Sequence, residues 1–172
     1  MSFLKRKKDK QTLTIKMNFQ AMELAQEGMN LASGGDMAGA EKAFRTALEI
    51  EPETSDALFG MGMIYQQKGM MDQAVTYYQN AWAADPANTD ALFNIGSIHM
   101  LRQEIEEALS IFKLMKDLTP DDPQVYLNLG SLYLANQQPK EAVAVLEEAL
   151  RLDPNYSKAK ILMTQAKQKL NL

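Results

Sequence analysis

The stretch SDALFGMGMIYQQKGMMDQAVTYYQNAWAADPAN, residues 55–88, decides the fold of this chain. Its first half places apolar or small residues three and four positions apart, as in Leu58, Met61, Gly62 and Tyr65, and its second half repeats that spacing. Residues at this spacing share one face of an α-helix. The stretch therefore predicts two helices, the second of which ends before Pro86.

The same pattern recurs every 34 residues along most of the chain. Prolines, glycines and alanines all repeat at this step, which three residue types do not do by chance. The repeating positions are Pro52, Pro86, Pro120 and Pro154, then Gly28, Gly62, Gly96 and Gly130, and finally Ala40, Ala74, Ala108 and Ala142. We therefore predict four helix pairs, over residues 21–54, 55–88, 89–122 and 123–156, followed by a capping helix over residues 157–172.

This pattern resembles the tetratricopeptide repeat family. The family's sequence of large apolar, small, Tyr, Ala, aromatic, Ala and Pro residues is matched in residues 55–88 by Leu58, Gly62, Tyr65, Ala74, Tyr78, Ala81 and Pro86. The third repeat departs from it, with His99 at the tyrosine position and Met115 at the second alanine position. The resemblance implies an all-α fold, a right-handed α-solenoid of antiparallel helix pairs, as a single domain over residues 17–172.

Charge is distributed unevenly along the sequence. Residues 1–16 hold six basic residues and Asp9, a net charge of +5, and residues 157–172 carry +4. The residues between them hold 8 basic and 21 acidic residues, a net charge of -13. We expect residues 1–16 to be a disordered basic tail, with the first helix beginning near residue 14. The acidic body repels nucleic acid, so no nucleic-acid partner is expected.

The sequence offers little for catalysis or metal binding. It has no cysteine, and its one histidine, His99, occupies a core position of the repeat. A nucleophile needs an adjacent base, and a metal site needs several convergent ligands. We therefore predict a protein that is not an enzyme and uses no cofactor and no metal. With neither a transmembrane stretch nor a signal-peptide pattern in the sequence, we expect a cytoplasmic location.

The resemblance places the binding surface on the first helix of each pair, where side chains line a concave groove. These positions are apolar and nearly uncharged, and a strip of this kind on an acidic protein indicates a contact site. The predicted peptide-binding residues are Met29, Phe59, Met63, Gln66, Phe93, Asn94, Ser97, Met100, Leu127, Asn128, Ser131 and Leu134, with Asp56 and Asp90 at the groove edge. The expected partner is an apolar segment of another protein whose basic residues reach the two aspartates.

A well-known subgroup of the family binds acidic chaperone C-termini through a clamp of lysine, asparagine and arginine side chains. The clamp positions hold no cation in this chain. When the clamp is aligned with the first repeats, its positions hold Ala25, Met29, Gly60, Asp90 and Asn94. When it is shifted by one repeat, they hold Phe59, Met63, Asn94, Gln124 and Asn128. We therefore exclude carboxylate-clamp binding.

The predicted function is a non-enzymatic scaffold or adaptor that binds an apolar peptide or helix of a partner. One alternative is a structural scaffold that self-assembles through the basic N-terminal segment, and another is a secretion-type chaperone for a hydrophobic partner. The N-terminal segment also offers weak attachment to a membrane surface. The residues assigned to such a membrane or assembly tail are Phe3, Leu4, Lys5, Arg6, Lys7 and Lys8.

Overall fold

A computed structural model describes the backbone of residues 3–170 and the side chains of residues 11–170. The described residues form nine α-helices and no strand, which confirms the all-α fold. The helices are α1 (Phe3–Ser33), α2 (Met37–Ile50), α3 (Ser55–Gln67), α4 (Met71–Ala84), α5 (Thr89–Leu101), α6 (Ile105–Leu118), α7 (Pro123–Ala135), α8 (Pro139–Leu152) and α9 (Ser157–Leu170).

The chain divides into two compact units, whereas the sequence analysis treated residues 17–172 as one domain. Unit 1 ends at Ala91 and unit 2 begins at Leu92, so the division falls inside α5. In unit 1, α1 packs against α2, α3 packs against α4, and α3 also contacts both α1 and α2. In unit 2, α7 contacts α6, α8 and α9, and α8 also packs against α9.

In each helix pair, a glycine of the first helix faces one large side chain of the second helix. A Cβ atom placed on Gly62 would lie 2.5 Å from Cε1 of Tyr78, a side chain that is fully buried. The glycine at this position therefore lets the two helices approach to the distance that the ring requires. The same contact recurs in the other pairs, as Gly28 with Phe44, Gly96 with Phe112 and Gly130 with Leu146.

The turns inside the four pairs share a left-handed residue at the same step of 34. Gly35 and Gly69 adopt φ values of +87° and +75° in the first two pairs. Gln103 and Gln137 take the equivalent positions, with φ values of 60° and 56°. Only glycine adopts this conformation without steric cost, so the last two pairs end their first helices at some expense of stability.

The N-terminal segment differs from the disordered tail expected over residues 1–16. Helix α1 already begins at Phe3 and continues without interruption to Ser33. Residues 3–27 contain no proline or glycine and many lysine, glutamine and methionine residues, which favour helix. All side chains of residues 11–20 are exposed, so this part of α1 projects beyond the packed core of unit 1.

Candidate functional site: apolar hollows on the first helices

All twelve residues predicted to bind a peptide lie on the first helix of a pair. Met29 is on α1; Phe59, Met63 and Gln66 are on α3; Phe93, Asn94, Ser97 and Met100 are on α5; Leu127, Asn128, Ser131 and Leu134 are on α7. Ten of them are half-buried, and the other two, Leu127 and Leu134, are buried. The edge residues Asp56 and Asp90 lie in the first turns of α3 and α5, where both are exposed.

In unit 1, two of the predicted residues line a hollow in the protein surface, which we call hollow 1. It has a volume of about 370 Å³, at the lower end of the range for ligand pockets, roughly 300–1,000 Å³. Three methionines and a buried isoleucine make its surface mainly apolar, while one hydroxyl and one amide lie at its edge. Its lining residues are Met29, Ala32, Ser33, Met37, Met63, Ile64 and Gln67.

Unit 2 contains an equivalent hollow, which we call hollow 2. Its volume is about 360 Å³, and it is lined by Met100, Gln103, Ile105, Ser131, Leu132 and Ala135. Five of these residues lie two 34-residue repeats after a residue of hollow 1: Met100 after Ala32, Ile105 after Met37, Ser131 after Met63, Leu132 after Ile64, and Ala135 after Gln67. The repeat therefore builds the same kind of hollow in both units.

The sequence prediction included Met29, Met63, Met100 and Ser131 but missed the other lining residues. Met37 and Ile105 come from the start of the second helix of a pair, α2 and α6, which the groove positions left out. A signal for them was present, since both are large apolar residues at one repeat position.

The aromatic residues of the predicted groove have partners inside their own helix pair. The Phe59 ring lies 5.4 Å from the Tyr78 ring, and the Phe93 ring lies 5.9 Å from the Phe112 ring with its edge towards it. Aromatic pairs at such distances stabilise by about 0.5–1.5 kcal/mol beyond the area that they bury. Phe59 and Phe93 therefore contribute to the packing of their helix pairs, and neither lines hollow 1 or hollow 2.

Gln66 supports the core beneath the groove. The Tyr78 hydroxyl donates a hydrogen bond of 2.7 Å to Oε1 of Gln66. Burial raises the pKa of Tyr78 to about 12, because the phenolate would lose its hydration. The hydrogen bond satisfies a buried hydroxyl that would otherwise be costly to bury.

Leu127 and Leu134 are the two buried residues of the predicted groove. Both belong to a buried cluster that also holds Ala159 and Met163 of α9, and Leu127 lines a further hollow of about 260 Å³ between α7 and α9. Nζ of Lys169 also donates a 3.4 Å hydrogen bond to the backbone oxygen of Leu134. A capping helix over residues 157–172 was predicted from the sequence, but the side chains that this helix buries were not.

The two predicted asparagines already take part in interactions within the protein. Oδ1 of Asn128 accepts a hydrogen bond of 3.2 Å from Gln124, whose own oxygen accepts one from the Tyr156 hydroxyl. Asn94 also takes part in an interaction within the protein. Any ligand amide must therefore compete with these contacts.

His99 has the structural environment expected from sequence. Its Nδ1 atom lies 2.6 Å from a carboxylate oxygen of Glu104, within the turn that follows α5. Across the described residues, His, Asp and Glu side chains form no group of three that could hold a metal ion. None of the helices in the described part of the chain is long and apolar enough to cross a membrane.

The tail residues Phe3, Leu4, Lys5, Arg6, Lys7 and Lys8 have side chains outside the described set. Further along α1, several large apolar side chains are exposed to solvent: Leu13, Ile15, Met17, Phe19 and Met22.

The sequence matches three models of one family, each described as a tetratricopeptide repeat. They cover residues 26–79, 67–132 and 123–156. No curated protein matches the sequence significantly.

Many solved structures resemble this one. A structure of pilF from Pseudomonas aeruginosa is 26% identical with a TM-score of 0.76, over 91% of this chain and 71% of that one. YrrB, described as a TPR protein with an unusual peptide-binding site, is 20% identical with a TM-score of 0.77, over 93% of this chain and 83% of that one. These similarities confirm the all-α repeat solenoid.

A third similar structure contains a bound peptide. It is the first TPR of Spaghetti (RPAP3) bound to the HSP90 peptide SRMEEVD, and it is 26% identical with a TM-score of 0.63. The similarity covers 69% of this chain and 94% of that one.

Proposed function

Since this chain belongs to the tetratricopeptide repeat family, whose members act as protein-interaction scaffolds, we propose that it binds an apolar peptide or helix of another protein in hollows 1 and 2. The observation that carries this proposal is the recurrence of one apolar hollow at equivalent repeat positions in both units. Close packing of the core does not by itself produce such a hollow, because core side chains fill the space between helices and leave few voids.

The chemistry of hollow 1 favours an apolar side chain with adaptable shape. Met29, Met37 and Met63 present flexible, polarizable thioethers, which adjust to ligands of different outline. Gln67 and Ser33 at the edge offer hydrogen bonds to a ligand backbone, each contributing about 1 kcal/mol. Apolar burial therefore supplies most of the affinity, and the polar edge orients the ligand.

Charge favours a basic partner. The residues between 17 and 156 carry a net charge of -13, and Asp56 and Asp90 are exposed at the starts of their helices. Complementary charge mainly raises the association rate and excludes acidic competitors. The partner segment should therefore combine apolar anchors with lysine or arginine.

The peptide complex of one similar protein and the peptide-binding site described for another support the class of ligand but not its chemistry. SRMEEVD is acidic, whereas the positions of this chain that correspond to the clamp hold no cation. A peptide of that composition has no charged anchor to bind here and meets an acidic surface. We therefore propose a different specificity for this chain.

The test is a selection of peptides from a random library displayed on phage against the full chain, followed by calorimetry. We expect apolar, net basic peptides with a dissociation constant on the order of 1–10 µM, given the small interface. Met63→Gln introduces an amide into hollow 1 and should weaken binding about tenfold.

Met70→Gln is the matched control, because Met70 is an exposed methionine that does not line either hollow. Both variants should retain wild-type helical content. The proposal is wrong if the selected peptides bind Met63→Gln and the wild type equally well, or if both variants lose the same affinity.

A further inference from the structure

The N-terminal part of α1 carries a stripe of exposed apolar side chains, which we call the α1 stripe. It consists of Ile15, Phe19 and Met22, which are 63%, 61% and 61% exposed. Their spacing of four and three residues places them on one face of the helix. Large apolar side chains that are this exposed do not gain the free energy of burial. The stripe therefore indicates a surface that another apolar surface covers.

A membrane surface does not fit this segment. Leu13 and Met17 are also exposed, at 59% and 41%, and the helical period places them on the side of α1 opposite to the stripe. A helix that lies on a bilayer needs a single apolar face with polar residues on the other. The segment is apolar on two sides, which suits contact with protein instead.

We propose that the α1 stripe binds the same stripe of a second copy, with the two helices antiparallel and a two-fold axis at Phe19. In this arrangement Phe19 lies beside Phe19 of the second copy, and Ile15 lies beside Met22. The Ile15–Met22 contact then occurs twice and the Phe19–Phe19 contact once, on the axis, as an interface between identical surfaces requires. Three apolar anchors at helical spacing are a usual pattern of helix recognition.

Charges beside the stripe select the antiparallel direction. Lys16 and Glu23 are exposed and flank the stripe on the same side of the helix. The two-fold axis brings Lys16 beside Glu23 of the second copy, at nearly the same height along the helix. Parallel helices would instead place Lys16 and Glu23 of the two copies at opposite edges of the interface, without this pairing, and would bring the two +5 segments side by side, which costs energy.

The interface is small, because each copy contributes three large side chains. Interfaces below the usual size range are weak, so we expect a dissociation constant on the order of 10–100 µM. Sedimentation equilibrium between about 1 µM and 500 µM should therefore show a reversible monomer–dimer equilibrium.

Engineered cysteines test the register, because the chain contains no cysteine of its own. A mixture of Ile15→Cys and Met22→Cys proteins should form a disulfide under mild oxidation, since the two positions lie side by side. Ile15→Cys alone should not, because residue 15 lies about 12 Å along the axis from its own counterpart, beyond the reach of a disulfide. Leu13→Cys mixed with Met22→Cys is the control for exposed cysteines on the opposite face, and this mixture should not form a disulfide.

A charge exchange tests the direction. Lys16→Glu and Glu23→Lys should each weaken self-association at least fivefold, whereas an equal mixture of the two proteins should form heterodimers of near wild-type affinity. Circular dichroism checks that both variants keep their helical content.

Three results would overturn the proposal. The first is a wild type that stays monomeric at 500 µM, and the second is cross-linking of the Leu13→Cys mixture as fast as that of the Ile15→Cys mixture. The third is a monomer that binds phosphatidylcholine–phosphatidylserine vesicles through this segment.

Discussion

The Gly62→Ala substitution tests how the helix pairs are built. The new Cβ would lie 2.5 Å from Cε1 and 2.6 Å from Cδ1 of Tyr78, atoms of a ring that is fully buried. The ring cannot move away freely, because it also contacts Phe59 and its hydroxyl is bound to Gln66. Either α3 or the ring must therefore shift.

The expected magnitude follows from two opposing effects. Overpacking of a filled core costs about 1–3 kcal/mol, while alanine favours the helix over glycine by about 1 kcal/mol. Because the added Cβ would lie only 2.5 Å from the ring, the overpacking cost should fall in the upper part of its range, about 2–3 kcal/mol, and the net loss should be about 1–2 kcal/mol. With a denaturant slope near 2 kcal/mol per molar urea, the unfolding midpoint falls by roughly 0.5–1 M.

Urea unfolding followed by circular dichroism measures this change. Gly34→Ala is the control, because a Cβ there meets only ordinary contacts of 3.5 Å and Gly34 does not adopt a positive φ. The urea midpoint of Gly34→Ala should equal that of the wild type. A Gly62→Ala midpoint equal to or above the wild type would refute the close-packing argument.

The remaining predictions concern stability and specificity. Tyr78→Phe should cost about 1 kcal/mol at pH 7 through its lost hydrogen bond to Gln66. Since burial raises the pKa of Tyr78 to about 12, its hydroxyl ionises first in the unfolded chain, so this group's contribution to stability is lost as pH rises from about 10 towards 12. Urea midpoints across this range should fall more for the wild type than for Tyr78→Phe; equal slopes would contradict the assignment. Met163→Ala should lower stability by about 2–3 kcal/mol, because Met163 is buried in a cluster with residues of α7 and α8; an unchanged midpoint would show that α9 does not pack on these helices. Gln137→Gly should raise the midpoint slightly by relieving its left-handed backbone, and a lower midpoint would contradict that strain. In calorimetry the peptide SRMEEVD should not bind at 100 µM, and saturable binding would contradict the argument from the missing cations.

The repeat could be predicted from the sequence because its signals are local. The glycine step of 34 residues reflects contacts inside each pair, such as Gly62 with Tyr78, and the proline step marks the connections between pairs, so both depend on short stretches of chain. Helix periodicity and the fixed step together were sufficient to predict the helix pairs.

Other features depended on neighbours that the periodicity does not identify. Leu127 has the same repeat position as Phe59 and Phe93, but it is buried in a cluster that α7 forms with α8 and α9. Met37 lines hollow 1 from the start of a second helix, a contribution that depends on how α2 is oriented towards α1 and α3. The helical N-terminal segment was missed because basic composition was given more weight than helix propensity.

The most direct test of the proposed function uses the methionine methyl groups as probes. In a protein labelled with ¹³C at these methyls, a saturating apolar peptide from the selection should shift the signals of Met29, Met37, Met63 and Met100, which line the two hollows. Met70, which lies outside both, should keep its position. If the peptide binds and the signals of the four hollow methionines do not move, the ligand site lies elsewhere and the account is contradicted.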